Sequence, residues 1–510
     1  MNRQPMTSAF PTFRAAPRRL ARVLWRAARW LWRKLWRPVA IILAVLIVAH
    51  VTLNVISGRR LEAELNKLRA QGAPLTLAQA APPMVPDSQN AAVLYLRAFA
   101  QLESRSEQQT VKRFVGPEPL YEWHPSQPRP TLAEVEPIIA RHLAAFRLLR
   151  EASLRPACRF PVNWNDALEV TFRHLPGIRD ASCFLAAKAV VDASRGRSGD
   201  ALDDLAIIVR MGNHLGAEPT LISQLLRGYG IGDAFRVFPR AMAAAPPDAE
   251  QSRAFCDCLA KVDMVGPWVH AMEGERCFGL AVFDQFRHAK SGEPLIGILG
   301  LGEARYYGEP LTATVARFSM RYAWPLARVA WMPFLNLDEV LFLRRAQTTI
   351  ELAAKPYRLS LPGQEALEDA RGRLPWYGPV SGIATPIYAR ATAARDRAIA
   401  KIGLMQAAMA LRAYQIGHGS YPASLAELRA PGGWAIPDDP FSGKPFIYRR
   451  QGAGYLIYSV AEDMKNNRGI DEATALAAAA RFARLQAAKP PKAALRPIRP
   501  AWDIPLRTTR

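Results

Sequence analysis

Hydrophobic positions along the chain fall into three regimes. Residues 38–56 are the first: nineteen consecutive positions without a formal charge. At about 1.5 Å per residue a helix of that length reaches roughly 28 Å, close to the hydrocarbon thickness of a bilayer. Such a helix also satisfies its own backbone hydrogen bonds, which lipid cannot do. In the second regime, from about residue 90 to residue 343, apolar residues recur at spacings of three and four between Pro or Gly stops, the pattern of amphipathic helices. In the third, 446–449 and 455–459 are short β-branched and aromatic runs. Gln451, Gly452, Ala453 and Gly454 stand between them, which predicts a hairpin.

The helical regime is most legible at 184–215. Leu185, Val190 and Val191 belong to one helix, a polar turn runs from Arg195 to Asp200, and Ala201, Leu205, Ile208 and Met211 belong to the next. This is a helical hairpin, and 221–238 and 254–269 read as further hairpin halves, giving a solenoid-like body without a fixed repeat length. Upstream, residues 60–70 predict a polar helix ending at Gly72, and the Pro-rich stretch 74–90 an extended or surface-hugging linker. Ser88 or Asn90 can cap a helix whose stripe is Val93, Leu96 and Ala100. Ile138, Leu143, Phe146 and Leu149 form another stripe after Pro130. Residues 322–343 contain Pro325, Arg328, Pro333, Asp338 and Glu339, which predicts a broken buried or interfacial helix and not a second span. A long helix over about 387–417 carries Ile399, Ile402, Met405, Met409, Ala413 and Ile416 and requires a partner surface.

Charge changes this picture at the ends. Residues 1–37 hold ten Lys or Arg and no acid, and residues 481–510 hold eight against Asp503 alone. Of the net +23, only +6 is left for the 443 residues between, which weakens any reading of the body as a polyanion binder. The basic start followed by an apolar segment predicts an uncleaved anchor with its amino terminus in the cytoplasm and its bulk exported. A cleaved signal fits poorly, because the apolar core is too long and Ser57, Gly58, Arg59 and Arg60 make a poor cleavage site. Arg22, Arg26, Arg29 and Arg33 recur on one helical face beside Trp25, Trp32 and Trp36. That pairing suits anionic headgroups, and it also serves as a plain topology signal with an aromatic belt. Nucleic acid is the third and least favoured partner.

Candidate chemistry is sparse. Five cysteines are too few and odd in number for a disulfide framework; Cys158 with Cys183 is one conceivable bridge, and buried free thiols are the default. His270 and Glu273 share a helical face and would serve a metal-dependent hydrolase if a third ligand such as His214 or Asp233 joined them. The alternative is an internal ion pair or a capped turn. No GxSxG, Walker A or Rossmann glycine pattern is present.

The order of a long helix, Gly419-Ser420-Tyr421-Pro422, Asp439-Pro440-Phe441-Ser442-Gly443-Lys444-Pro445, Tyr455-Leu456-Ile457-Tyr458-Ser459 and an Asp/Asn-rich loop resembles the globular head of type II secretion major pseudopilins over residues 398–472. The resemblance implies a small α+β module, a helix packed on an antiparallel sheet. It also implies calcium in the loop after the last strand, where Glu462, Asp463, Asn466, Asn467 and Asp471 stand at the matching positions. Lys465 and Arg468 interrupt that set, and a solvated polar loop is the alternative. The chain departs from the family at its start: 38–56 has no glutamate and no leader site, so it is not expected to polymerise as a pilus subunit. As a whole it resembles uncharacterised bacterial membrane-anchored proteins that carry such a head behind a helical body.

The expected organisation is therefore mainly α: a basic cytoplasmic arm (1–37), a transmembrane helix (38–57), an exported helical body (58–385), a pseudopilin-like α+β module (386–480) and a basic, Pro-rich disordered tail (481–510). The expected location is a bacterial inner membrane with a periplasmic bulk. The expected role is a non-enzymatic scaffold for an envelope protein partner, with an accessory role in a secretion or DNA-uptake system, or metal-dependent hydrolysis, as alternatives.

Overall fold

The apolar stretch is the middle of a much longer helix. In the computed structural model, which describes residues 17–116, 129–289, 324–384, 389–429, 433–470 and 504–507, helix α1 (Pro17–Ala70) runs 54 residues and passes through Pro38. Gly72, at φ +68°, takes the left-handed conformation that ends it. Residues 39–49 are exposed all round, and Trp36–Ala70 is the one helix among the described residues long and apolar enough to cross a membrane. From residue 50 a single stripe becomes covered: His50, Leu53, Asn54, Ser57, Leu61, Leu65 and Leu68. The polar helix expected over residues 60–70 is present as the continuation of the apolar one, and Leu61 and Leu68 supply the apolar spacing that fastens it to the body.

The linker hugs the surface as expected and adds one helical turn, α2 (Leu77–Ala80), closed by a Thr76–Gln79 capping box. Helix α3 (Ala91–Phe99) is capped by Asn90, whose side chain accepts from Ala92 N. Its buried face differs from the expected stripe: Ala91, Leu94, Tyr95 and Ala98 face the core, whereas Val93 and Leu96 are exposed. Both faces of this helix carry apolar residues at helical spacing, so the spacing alone does not choose between them. After α4 (Arg105–Val115), the stripe beyond Pro130 breaks at His142 into α5 (Leu132–Arg141) and α6 (Leu143–Ser153), leaving Leu143 exposed.

The hairpin is present as α7 (Leu175–Ser194) and α8 (Ser198–His214), turned at Gly196 with φ +76°. Helix α7 is buried on nearly every side by α4, α8 and α9 (Leu221–Ala244), which explains its weak amphipathic pattern. Next come α10 (Ala249–Ala260) and α11 (Gly266–His288). Helix α12 (Trp324–Ala353) carries the expected interruptions and still runs 30 residues through Pro333. It lies against both α1 and α11, joining Leu61, Leu68, Phe283, Leu335, Phe342 and Val380 in one apolar cluster.

Helix α13 (Tyr357–Arg371) and the turn α14 (Pro379–Ala384) lead to α15 (Ala389–His418). The partner surface α15 requires is supplied on two sides. It packs on α9 and α10 of the body and also on a three-stranded antiparallel sheet of order β1-β2-β3. Strands β1 (Ile447–Gln451) and β2 (Gly454–Ser459) form the expected hairpin around Gly452 and Ala453. Strand β3 (Ile504–Arg507) corrects the expectation of a disordered tail at these four residues. Ile504 and Leu506 alternate inward and are buried, and Pro505 is tolerated because the strand is an edge. The remainder of 481–510 lies outside the described residues. One core runs without a break from Ala91 through α15 to Leu506, so residue 385 marks no gap in the packing.

Candidate functional site

The residues marked by sequence are scattered over separate elements. Arg22, Trp25, Arg26, Arg29, Trp32 and Arg33 all lie on α1, and their side chains are outside the described set. Trp36 is half exposed, and the Arg37 guanidinium stands 5.6 Å from its ring centroid. At the end of the apolar stretch, α1 is bolted to the body. Asn336 Nδ2 on α12 donates to Asn54 Oδ1 and to Ser57 Oγ, each at 3.3 Å, and Ser57 Oγ donates to the Asn54 carbonyl at 3.1 Å. One helical stretch further, Arg344 Nε donates to Glu64 Oε1 at 2.8 Å. Asn54 therefore engages a neighbouring helix. Inter-helix hydrogen bonds of this kind fasten helices in apolar surroundings.

The His270–Glu273 pair does not gather a metal site. His270 Nδ1 is 3.4 Å from Glu273 Oε2, and its Nε2 donates to the Ala80 carbonyl at 3.0 Å, pinning α11 to the linker. Arg276 and Cys277 donate to the Pro74 carbonyl on the same face. Both suggested third ligands are occupied elsewhere. His214 Nδ1 lies 2.9 Å from the Tyr95 hydroxyl while Nε2 donates to the Arg155 carbonyl, and burial pushes its pKa below the ordinary value. Asp233 pairs with Arg236 at 2.6 Å and accepts from Cys183 Sγ at 3.5 Å. Among the described residues no three His, Cys, Asp or Glu side chains form a group able to hold a metal. None of the five cysteines, Cys158 and Cys183 included, forms a disulfide, and burial pushes the thiols of Cys256 and Cys277 up to about 12, far from nucleophilic thiolates at neutral pH.

In the polar loop after β2, the oxygens suggested for calcium are turned to the protein. Asn466 Oδ1 accepts from the Tyr458 hydroxyl at 2.8 Å and from Arg468 N at 2.9 Å. Asp463 accepts from Lys465 N through Oδ1 and from Asn467 Nδ2 through Oδ2, and Glu462 pairs with Arg397 at 2.5 Å. Asp471 lies outside the described residues. The loop folds over the outer face of β2, where Gly469 approaches Leu456 and Tyr458. The Asp439 turn is a structural tie of the same region: its Oδ1 accepts from Ser459 Oγ at 2.7 Å and its Oδ2 from Val460 N at 3.2 Å.

Sequence reasoning missed two buried charge clusters that hold the body together. In the α7–α8 hairpin Lys188 Nζ reaches Asp192 at 2.6 Å and Asp204 at 2.9 Å, and Arg197 adds a second bond to Asp192. Burial alone would lower the Lys188 pKa, but the two carboxylates outweigh it and raise it. Between α7 and the turn before α9, His174 Nε2 sits 2.8 Å from Glu218 Oε1, and Ser223 Oγ donates to Glu218 Oε2 at 2.5 Å. Phe160 stacks on the His174 ring at 4.0 Å and closes the cluster to solvent. The i,i+4 spacing of Lys188 and Asp192 was the only local signal; the rest is assembled across distant segments. A cleft of about 270 Å³ opens between α9, α15 and the sheet, floored by Phe238, Met242 and Met409 and rimmed by Arg412.

No protein-family model, no curated protein and no solved structure matches the chain. What the chain does therefore rests on its own geometry.

Proposed function

We propose that the chain is a single-pass protein of a bacterial inner membrane, with its arginine-rich start in the cytoplasm and its body beyond the membrane. There it acts as a non-enzymatic scaffold for another envelope component. The observation that carries this reading is the continuity of α1, whose exposed apolar length enters the body without a break and becomes part of its core at Ser57, Leu61 and Leu68. A scaffold needs its docking surfaces held in a fixed attitude to the bilayer, and the Asn336 and Arg344 contacts provide that. The lysine, arginine excess before residue 38 sets the orientation by the positive-inside rule. The buried acids and histidines serve as ties between helices, which suits a rigid platform.

Fusing alkaline phosphatase or a cytosol-only fluorescent reporter after Arg510 tests the topology. Phosphatase activity with a dark fluorescent fusion is expected, and the reverse pattern sinks the proposal. In-cell photocrosslinking from the rim of the cleft tests the scaffold role, for which a discrete envelope adduct is expected. The packing of α15 on an antiparallel sheet favours, as a second reading, an accessory that co-assembles with true pseudopilins. Co-purification of a pseudopilin with the full chain would support that reading over a general scaffold.

A further inference from the structure

The contacts between α1 and α12 fix their relative direction. Asn336 meets Asn54 and Ser57, and Arg344 meets Glu64, so the two helices run parallel. Moving back along α12 from Asn336 is therefore moving down α1 into its apolar stretch. At about 1.5 Å per residue, Val329 and Leu326 lie roughly 10 and 15 Å before Asn336, level with about His50 and Ile47 when counted back from Ser57. The cover on α1 begins at His50, in agreement with this level. Yet Leu326 is 80% exposed and Val329 57% exposed.

Just above them is a group of aromatic rings. Trp331 and Phe334 of α12 meet Trp376, with ring centroids 5.7 and 4.7 Å from it, and Tyr377 lies beside Trp376 at 5.9 Å. Trp376 is 66% exposed. Phe334 is two residues before Asn336, so this cluster sits at the level where the apolar stretch of α1 ends, the depth at which Trp and Tyr gather on membrane proteins. The one charged residue between Trp324 and Leu337 is Arg328, whose guanidinium donates to the Ala289 carbonyl at the end of α11.

We propose that the first turns of α12, with Leu326 and Val329 outward and Trp331, Phe334 and Trp376 above them, form a second lipid-contacting surface. It is immersed in the leaflet on the body's side of the membrane without crossing it. The occupant is acyl chain and headgroup lipid, because the surface is continuous in depth with the exposed apolar face of α1. This inference rests on the anchor reading, since α1 sets the depth of everything packed on it. The body thus stands on two apolar legs, one spanning and one shallow.

The test uses the full chain in nanodiscs of phosphatidylcholine and phosphatidylglycerol, with nitroxide labels on L326C and V329C in a Cys258→Ser background. I47C on α1 is the lipid reference, and L359C on α13, an exposed position beyond the far end of α12, is the water reference. Collision with oxygen and with a water-soluble nickel chelate is read by power saturation. L326C and V329C are expected to follow I47C, with oxygen favoured over nickel several-fold. If they follow L359C while I47C remains lipid-like, the shallow leg is refuted and the anchor stands. If both reagents are excluded at 326 and 329, protein covers the face and the inference again falls. Free nickel access at I47C would overturn the anchor reading itself.

Discussion

Replacing Lys188 by methionine probes the hairpin at its most consequential point. Methionine keeps most of the buried volume while deleting the charge. Asp204, 3% exposed, then loses both hydrogen bonds from the ammonium at 2.9 and 3.0 Å and is left facing Asp192 and Asp203, with Arg197 committed to Asp192. Breaking a buried ion pair from one side costs about 3–5 kcal/mol. With an unfolding entropy of about 2.1 cal/mol/K per residue, a cooperative unit of roughly 400 residues loses about 4–6 °C in Tm. Differential scanning of the detergent-solubilised chain at pH 7 reads this directly. The pH dependence supplies the sign. Without Lys188, burial holds the Asp204 pKa above its unfolded value, so the folded form takes up the proton first and stability recovers as pH falls through that raised pKa. The deficit against wild type is therefore expected to shrink as the pH is lowered, and the K188M/D204N pair to lie closer to wild type than K188M alone. An unchanged Tm, or a deficit that grows in acid, refutes the buried triad.

Two further substitutions test separate joints. In Gly274→Ala the new Cβ would stand 1.7 Å from the Pro219 carbonyl oxygen, so α11 must back away from the turn before α9. A loss of about 1–3 kcal/mol is expected, whereas Gly417→Ala, with open space around it, is expected to be neutral or slightly stabilising by urea titration. Leu506→Asp places a carboxylate where 2% of the residue is exposed, and is expected to cost about 3 kcal/mol or more. Hydrogen exchange should then show faster amide exchange at Leu456 and Ile457, and unchanged protection there would argue against β3.

The elements with strong local signals were legible in the sequence. The apolar run, the Gly196 turn between α7 and α8, the Asn90 cap and the Gly452 hairpin each depend on residues close together in the chain. The misreadings arose where distant segments decide. Val93 and Leu96 are a credible core stripe until α3 is seen to bury Ala91, Leu94, Tyr95 and Ala98 instead. Residues 504–507 look like more of a basic tail because the strand they join, β2, lies some 45 residues earlier. Candidate chemistry followed the same division. His270 and Glu273 share a face as their spacing requires, but that His270 gives its other nitrogen to Ala80, and His214 both of its own to Tyr95 and Arg155, depends on contacts no spacing encodes.

The union of α1 with the body bears on how this protein ends its life. Many tethered proteins can be set free by a single cut beside the membrane. Here a protease acting between residues 57 and 70 would cut through Leu61 and Leu68, which wedge against Phe283, Leu335 and Phe342. The released fragment would carry an open apolar trench and be cleared as damaged protein. If α1 is the proposed anchor, a cut beside the membrane does not yield an intact soluble body.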